Sequence, residues 1–268
     1  VFDHEALPPS AAELAAIEHE RIRWVTLLGA SLEQDARLGV TFASHDRRGS
    51  GLNFAAAIRW PAAEVDGRLR IVGERMRAAG VWPQVVVCDG LTEPADLPQR
   101  LRAAGWVPIG GERIMWTRHP AVVPHLDPGL RIEAVTPATA QECVRLEAAN
   151  FGLDPDAIAD NARLLAQAVA AGETRAFLVR LAREAIASAR MMPGSGVASL
   201  HAIGVAARHR RRGYGRLITA IATRAGLATG HKLVWLSVDE TNVAAVELYR
   251  GLDFKFTFTW SRWLAPGR

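Results

Sequence analysis

The hydrophobic pattern between Arg175 and Trp263 constrains the fold more than any other feature of the chain. Three strand-length runs come first, Arg175 to Leu181, Ala185 to Met191 and Val197 to Val205, the first two joined by a short turn around Arg183. The period then switches: a helix from about Gly213 to Ala228, a strand over Leu233 to Val238, a helix over Asn242 to Arg250 and a strand over Phe254 to Trp263. An antiparallel meander followed by alternating helices and strands predicts an α/β (α+β) fold, a mixed central sheet with helices on its faces.

Upstream, Ser10 and Glu13 form a capping box that opens a helix over Ala11 to Leu28. Val40 to Ala43 and Leu52 to Trp60 have strand character around a polar turn from His45 to Gly51. A helix over Ala62 to Ala79 ends at Gly80, where a left-handed residue costs little. Val85-Val86-Val87 reads as a buried strand, Pro98 to Ala104 as a helix stopped at Gly105, and a strand runs through Ile114, Met115 and Trp116. Pro120, Pro124 and Pro128 punctuate an aperiodic stretch that suits a connection, which puts the boundary near Pro124 and gives domains 1–124 and 125–268. Beyond it lie a strand over Leu130 to Val135, a helix with Thr136 as cap and Pro137 as first residue, and a second helix over Pro155 to Ala170.

The two domains share a faint repeat. Val85-Val86-Val87, then Leu101-x-x-x-Gly105-Trp106 and Trp116, parallels Leu233-Val234-Trp235, then Tyr249-x-x-x-Asp253-Phe254 and Trp260. Two modest domains also suit 268 residues, of which 49% are hydrophobic and 22% charged. The two cysteines, Cys88 and Cys143, exclude a disulfide framework and a cysteine-rich zinc site, and the scattered histidines give no metal case. With no apolar run of membrane-spanning length and no signal-like start at Val1 to Pro9, a soluble cytoplasmic protein without membrane partners is the expectation. A net charge of only +4 disfavours nucleic acid as a partner, and the oligomeric state stays open between monomer and homodimer.

Chemistry concentrates in Val205-Ala206-Ala207-Arg208-His209-Arg210-Arg211-Arg212-Gly213-Tyr214-Gly215-Arg216, which leaves a strand and enters a helix. Unpaired N–H groups at a helix start, with the positive end of the dipole behind them, bind anions, and Gly213 and Gly215 would let a phosphate approach without a Cβ in the way. Neither G-x-x-x-x-G-K-S/T nor G-x-G-x-x-G with its acidic partner is present, which argues against a P-loop NTPase or a Rossmann dehydrogenase. An arginine-rich loop that binds nucleic acid, or is merely solvated, remains the plain alternative.

This segment resembles the GCN5-related N-acetyltransferases. Arg210-x-x-Gly213-x-Gly215 matches their R/Q-x-x-G-x-G/A loop, and Asn242-x-x-Ala245-x-x-Leu248-Tyr249 matches their N-x-x-A-x-x-L-Y motif. The resemblance covers roughly Leu130 to Trp263 and departs from the family where Asp253, in place of glycine, precedes Phe254. It implies acetyl-CoA as co-substrate, no metal, and a strand that splays from its neighbour so that backbone near Ile203, Gly204 and Val205 pairs with pantetheine. It further implies diphosphate contacts from the backbone of Arg211, Arg212, Gly213, Tyr214, Gly215 and Arg216, with Arg210 and Asn242 also at the cofactor.

The expected activity is N-acetyl transfer to a primary amine, of a small molecule or a protein, by direct attack in a ternary complex. Tyr249 is the expected proton donor to the departing thiolate, and His201 the candidate base, with water or Glu147 as competitors. Carboxylates between Phe151 and Asp160 are candidates for recognising a cationic amine. The first domain lacks the glycine loop and has Leu101 where Tyr249 stands, so it reads as a degenerate, accessory copy. A silent acyl-CoA sensor and a nucleic-acid module are the competing classes.

Overall fold

The computed structural model describes residues 7–47, 51–123 and 128–267, and the chain separates into two compact units. The first unit gathers Ile17–Ile114, Asp239–Thr241 and the residues from Thr257 onward; the second gathers the residues up to Ala16, Met115–Val238 and Asn242–Phe256. A single cut near Pro124, which lies outside the described residues, does not reproduce this division. Periodicity marks a strand without naming its partner, and the end of the chain pairs within the first unit.

The opening helix α1 (Ala11–Arg23) starts from the capping box: Ser10 N–H donates to Glu13 Oε2 at 2.8 Å and Glu13 N–H donates to Ser10 Oγ at 3.3 Å. A 3-10 turn, Trp24–Leu28, continues it. Next come β1 (Ser31–Asp35), β2 (Val40–Ser44), β3 (Phe54–Ala56), α2 (Val65–Ala78), β4 (Gln84–Cys88), α3 (Leu97–Ala103) and β5 (Val107–Thr117). The last strand, β11 (Lys255–Leu264), pairs antiparallel with β4 through Trp260 to Leu264, so the first unit contains strands in the order β1-β2-β3-β4-β11. Its core is built from Leu69 and Val72 of α2, Val85 and Val87 of β4, Leu97 and Leu101 of α3, and Trp106 and Trp263. The strand β1 has no counterpart in the sequence reading. Its residues, Ser-Leu-Glu-Gln-Asp, form the outer strand of that order and are largely exposed, so no apolar alternation marks them.

The second unit holds β6 (Leu130–Ala134), α4 (Ala140–Phe151), α5 (Ile158–Ala170), β7 (Arg175–Leu181), β8 (Glu184–Pro193), β9 (Ala198–Val205), α6 (Tyr214–Ala228), β10 (Val234–Asp239) and α7 (Val243–Arg250). The strands β6 to β9 form an antiparallel meander, and β10 joins β9 in parallel. The helix α6 buries Leu217, Ile218 and Ala222 against Ala198, Leu200, Val234 and Leu236. The alternate side chains of β7, Ala176 and Leu178, pack instead with Val144 of α4 and Leu165 of α5, so helices cover both faces. The helix α4 begins later than Thr136 and Pro137 predict. Thr136 and Thr139 close a turn of their own, Thr136 N–H donating to Thr139 Oγ1 at 2.9 Å, and Thr139 is the N-cap.

The repeat is visible in the element order, since β4, α3 and β5 recur as β10, α7 and β11. The residue before the aromatic is left-handed in both copies, with φ of 79° at Gly105 and 64° at Asp253. Aspartate keeps the turn that the family's glycine makes.

Candidate active site

In the second unit β9 and β10 pair only through Ala198–Val234, Ser199–Trp235 and Leu200–Leu236, and β9 then continues to Val205 beside β8 but without β10. A bulge causes the parting: the β8–β9 register shifts between Ser188 and Arg190, and Ala202 takes a left-handed φ of 50°. Beyond it, Ala206 N–H donates to Ile186 O at 2.8 Å, so Gly204 and Ala206 direct their backbone groups toward β8. By alternation Ile203 C=O and Val205 N–H face the opposite edge, where β10 no longer runs.

That edge leads into the arginine loop. A 3-10 turn over Ala207–His209 is followed by extended Arg210, left-handed Arg211 (φ 64°) and left-handed Gly213 (φ 85°), after which α6 begins. No backbone N–H from Arg211 to Arg216 has an acceptor among the described residues. The side chains of Arg211 and Arg212 are exposed. Free donors, a helix dipole and two exposed cations thus come together at this turn, an arrangement suited to an anion.

The remaining predicted residues have more specific duties than the motif implies. Arg210 folds back, donating from Nε to Val205 O at 3.2 Å and from Nη2 to Asn150 Oδ1 at 3.0 Å. Arg216 Nη1 donates to Gly251 O at 2.7 Å and ties α6 to the end of α7. Gly215 does not face open space: a Cβ there would stand 3.0 Å from Leu248 Cδ1 and 3.7 Å from Val205 Cγ2. The sequence reading of Gly215 as clearance for an anion is therefore corrected, since Gly215 lets α7 approach α6, whereas Gly213 opens on free space and also supplies a left-handed backbone conformation. Tyr214 is buried, its ring tilted against His209 at 6.3 Å. Asn242 caps α7, its Oδ1 accepting Ala245 N–H at 3.2 Å, so its carbonyl oxygen is already engaged.

Tyr249 is 7% exposed and sits in the apolar cluster with Leu200, Leu217, Leu236 and Phe254. Burial raises its phenol above the usual range, and its hydroxyl has no hydrogen bond among the described residues. Such a group stays protonated and is available as a hydrogen-bond donor. His201 lies on the other face of β9, where its Nε2 is 2.9 Å from Ser199 Oγ and its ring meets Trp235 edge-on at 5.7 Å. The structure thus puts Tyr249 and His201 in different side-chain environments.

Glu147 is not a free base. Arg190, the cross-strand neighbour of His201, donates from Nε to Glu147 Oε1 at 2.8 Å and from Nη2 to Oε2, and both partners are 3% exposed. Cys143 Sγ adds a third contact to Glu147 at 3.4 Å, and burial pushes its thiol far above the usual range. Asn150 is the residue that motif reasoning missed. A Cβ at Gly204 would fall 2.7 Å from Asn150 Nδ2, so Gly204 exists to let α4 reach the free edge of β9. No spacing rule in the sequence couples positions 150 and 204. Among the described residues, no group of histidine, cysteine or carboxylate side chains could hold a metal, and no helix is long and apolar enough to cross a membrane.

Residues 143–254, less than half of the chain, match the model of the acetyltransferase (GNAT) family. No curated protein matches the chain in sequence. Among solved structures, a GCN5-related N-acetyltransferase from Kribbella flavida is similar at a TM-score of 0.70 and 19% identity, covering 94% of this chain and 96% of that one. A tandem GNAT protein from the clavulanic acid biosynthesis pathway follows at 0.66 and 16% identity, covering 85% and 79%. A GCN5-related N-acetyltransferase from Sphaerobacter thermophilus gives 0.65 and 15%, covering 86% and 78%. At these identities the structures establish a common fold, and the motif-bearing residues carry the rest. With the splayed strands and the glycine loop among them, residues 143–254 are similar to the acetyltransferase (GNAT) family, and the chain shares the fold of these solved structures.

Proposed function

We propose that the chain is an acetyl-CoA-dependent N-acetyltransferase acting on a primary amine by direct transfer, with its catalytic machinery in the second unit and an accessory first unit. The observation that carries this is the free edge of β9, Ile203 C=O and Val205 N–H, leading into the unpaired N–H groups of α6 beneath Arg211 and Arg212. An extended amide-bearing arm fits the edge, and a diphosphate fits the loop. Acetyl-CoA bound there supplies an activated thioester.

In this reading the backbone of Arg211 to Arg216 holds the diphosphate, and Arg210 keeps the loop closed on Val205. The buried phenol of Tyr249 keeps its proton until a thiolate forms nearby, and then donates it. His201, with Ser199 on its Nε2, is the group on the α4 face of β9 that would accept a proton from the amine, directly or through water. Cys143 and Cys88 are buried thiols raised by desolvation, which makes covalent transfer through either a poor route and leaves direct attack. Both being free thiols also suits a reducing compartment such as the cytoplasm. The acceptor is a small-molecule or protein amine, approaching from the side of α4 and the Phe151 to Asp160 segment.

The test is thermal unfolding with and without acetyl-CoA, paired with the Arg212→Glu variant. A ligand at a hundred times its dissociation constant stabilises the folded state by about 2.7 kcal/mol. The parent should unfold at a higher temperature with acetyl-CoA, and Arg212→Glu should lose that shift while unfolding normally without ligand. No shift in the parent at millimolar acetyl-CoA would remove the reading. A shift without turnover on any amine would favour an acyl-CoA sensor instead.

A further inference from the structure

The first unit repeats the left-handed residue at which β9 and β10 part in the second. Ala57, just past β3, has a left-handed φ of 55°, as Ala202 has in β9, and the sequences run on in step, Ala57-Ile58-Arg59-Trp60 against Ala202-Ile203-Gly204-Val205. The parallel partner also departs in the same way, since β3 pairs with β4 only at Ala55–Val85. Ile58 C=O and Trp60 N–H thus occupy the places that Ile203 C=O and Val205 N–H hold in the second unit.

In the first unit this edge is filled. Glu93 N–H donates to Ile58 O at 3.1 Å, and Trp60 N–H donates to Glu93 O at 3.0 Å, a parallel bridge between Arg59 and Glu93. The turn that delivers Glu93 is itself pinned to the end of β4: Leu91 and Thr92 N–H donate to Cys88 O at 3.0 and 2.9 Å, and Cys88 N–H donates to Thr92 Oγ1 at 2.8 Å. The neighbouring helix start has changed in the same sense. Where α6 opens with Gly213 under a run of arginines, α2 follows Pro61, which has no N–H, and carries Glu64 and Asp66 near its first turn.

We propose that the peptide of Glu93 stands permanently where a pantetheine amide would pair, so that the first unit is a self-occupied copy of the acyl-CoA slot and each chain binds one acyl-CoA. The naming of that slot rests on the function proposed above; the self-pairing does not. An open strand edge next to a buried core leaves donors and acceptors unpaired. The first unit satisfies its edge with its own chain, and the second leaves the same edge to a ligand.

Amide hydrogen exchange on the unaltered chain, with and without saturating acetyl-CoA, reads both edges at once, and calorimetric titration counts the sites. Trp60 and Glu93 amides should exchange at least about a hundredfold slower than open amides without ligand. Acetyl-CoA should leave them unchanged, slow Val205, and bind once per chain. Fast exchange at Trp60 and Glu93 without ligand, a change there on adding acetyl-CoA, or two sites per chain would overturn the proposal. Slow exchange at Trp60 and Glu93 with no acetyl-CoA bound anywhere would refute the function assigned to the second unit while upholding the self-pairing of the first.

Discussion

The two loop glycines look interchangeable in the motif, yet the structure predicts opposite origins for the damage their replacement would do. At Gly213 a Cβ would meet nothing within 4 Å, but the residue sits at φ 85°. Alanine there costs about 1–2 kcal/mol in left-handed strain, partly offset by roughly 0.4–1 kcal/mol from a less flexible unfolded chain. The net loss is about 1 kcal/mol, which lowers the melting temperature by roughly 2–4 °C in a domain of this size. At Gly215 the backbone is helical, so alanine gains up to about 1 kcal/mol of helix propensity. The new Cβ lies 3.0 Å from Leu248 Cδ1, however, and overpacking of this kind costs about 1–3 kcal/mol. Gly215→Ala should therefore be neutral to destabilising alone, and stabilising when Leu248→Ala has already made room. Gly213→Ala should be indifferent to Leu248. Melting curves of the parent, the three single variants and the two doubles with Leu248→Ala measure both couplings. Equal effects of Gly215→Ala in both backgrounds, or a Gly213→Ala protein as stable as the parent, would refute the assignment.

Other outcomes follow from the same geometry. Tyr249→Phe should lower turnover by about a hundredfold or more with little change in acetyl-CoA affinity or melting temperature, because the hydroxyl makes no hydrogen bond among the described residues; steady-state kinetics beside calorimetry checks this. Glu147→Ala should destabilise by about 3–5 kcal/mol in denaturant unfolding by leaving Arg190 charged and buried, whereas a Glu147→Leu, Arg190→Met double variant should recover most of the loss. Glu13 is held at about 2, against the usual 4.5, chiefly by its hydrogen bonds from Arg118. Its contribution is present above pH 4.5 and lost as the pH falls toward 2, amounting to about 1–2 kcal/mol after allowance for solvent screening. Glu13→Gln should flatten that part of the stability profile.

The helices and most strands were legible because their signals are local: a capping box at Ser10, glycines at helix ends, and a change of period after Val205. What escaped depends on partners distant in sequence. Nothing in the pentapeptide Ser31 to Asp35 marks an outer strand, and nothing near Trp260 says that it will pair with Cys88. The candidate site divides likewise. Its loop could be read directly, but the roles of Gly204 and Gly215 are set by Asn150 and Leu248, which only the fold brings into contact, whereas the cap that Asn242 gives Ala245 is a local one. The side chain of Arg210 looks like a phosphate ligand in one dimension and is a brace in three.

The pairing of Trp260 to Leu264 with β4 has a consequence for how the protein is made. A domain assembled on the ribosome normally folds once its own residues have emerged, and the first in line folds first. Here the first unit must wait with the inner edge of β4 uncovered until the whole of the second has been synthesised. A premature stop anywhere between 125 and 256 would therefore spoil both units, and neither half of the gene could be exchanged as a self-sufficient module.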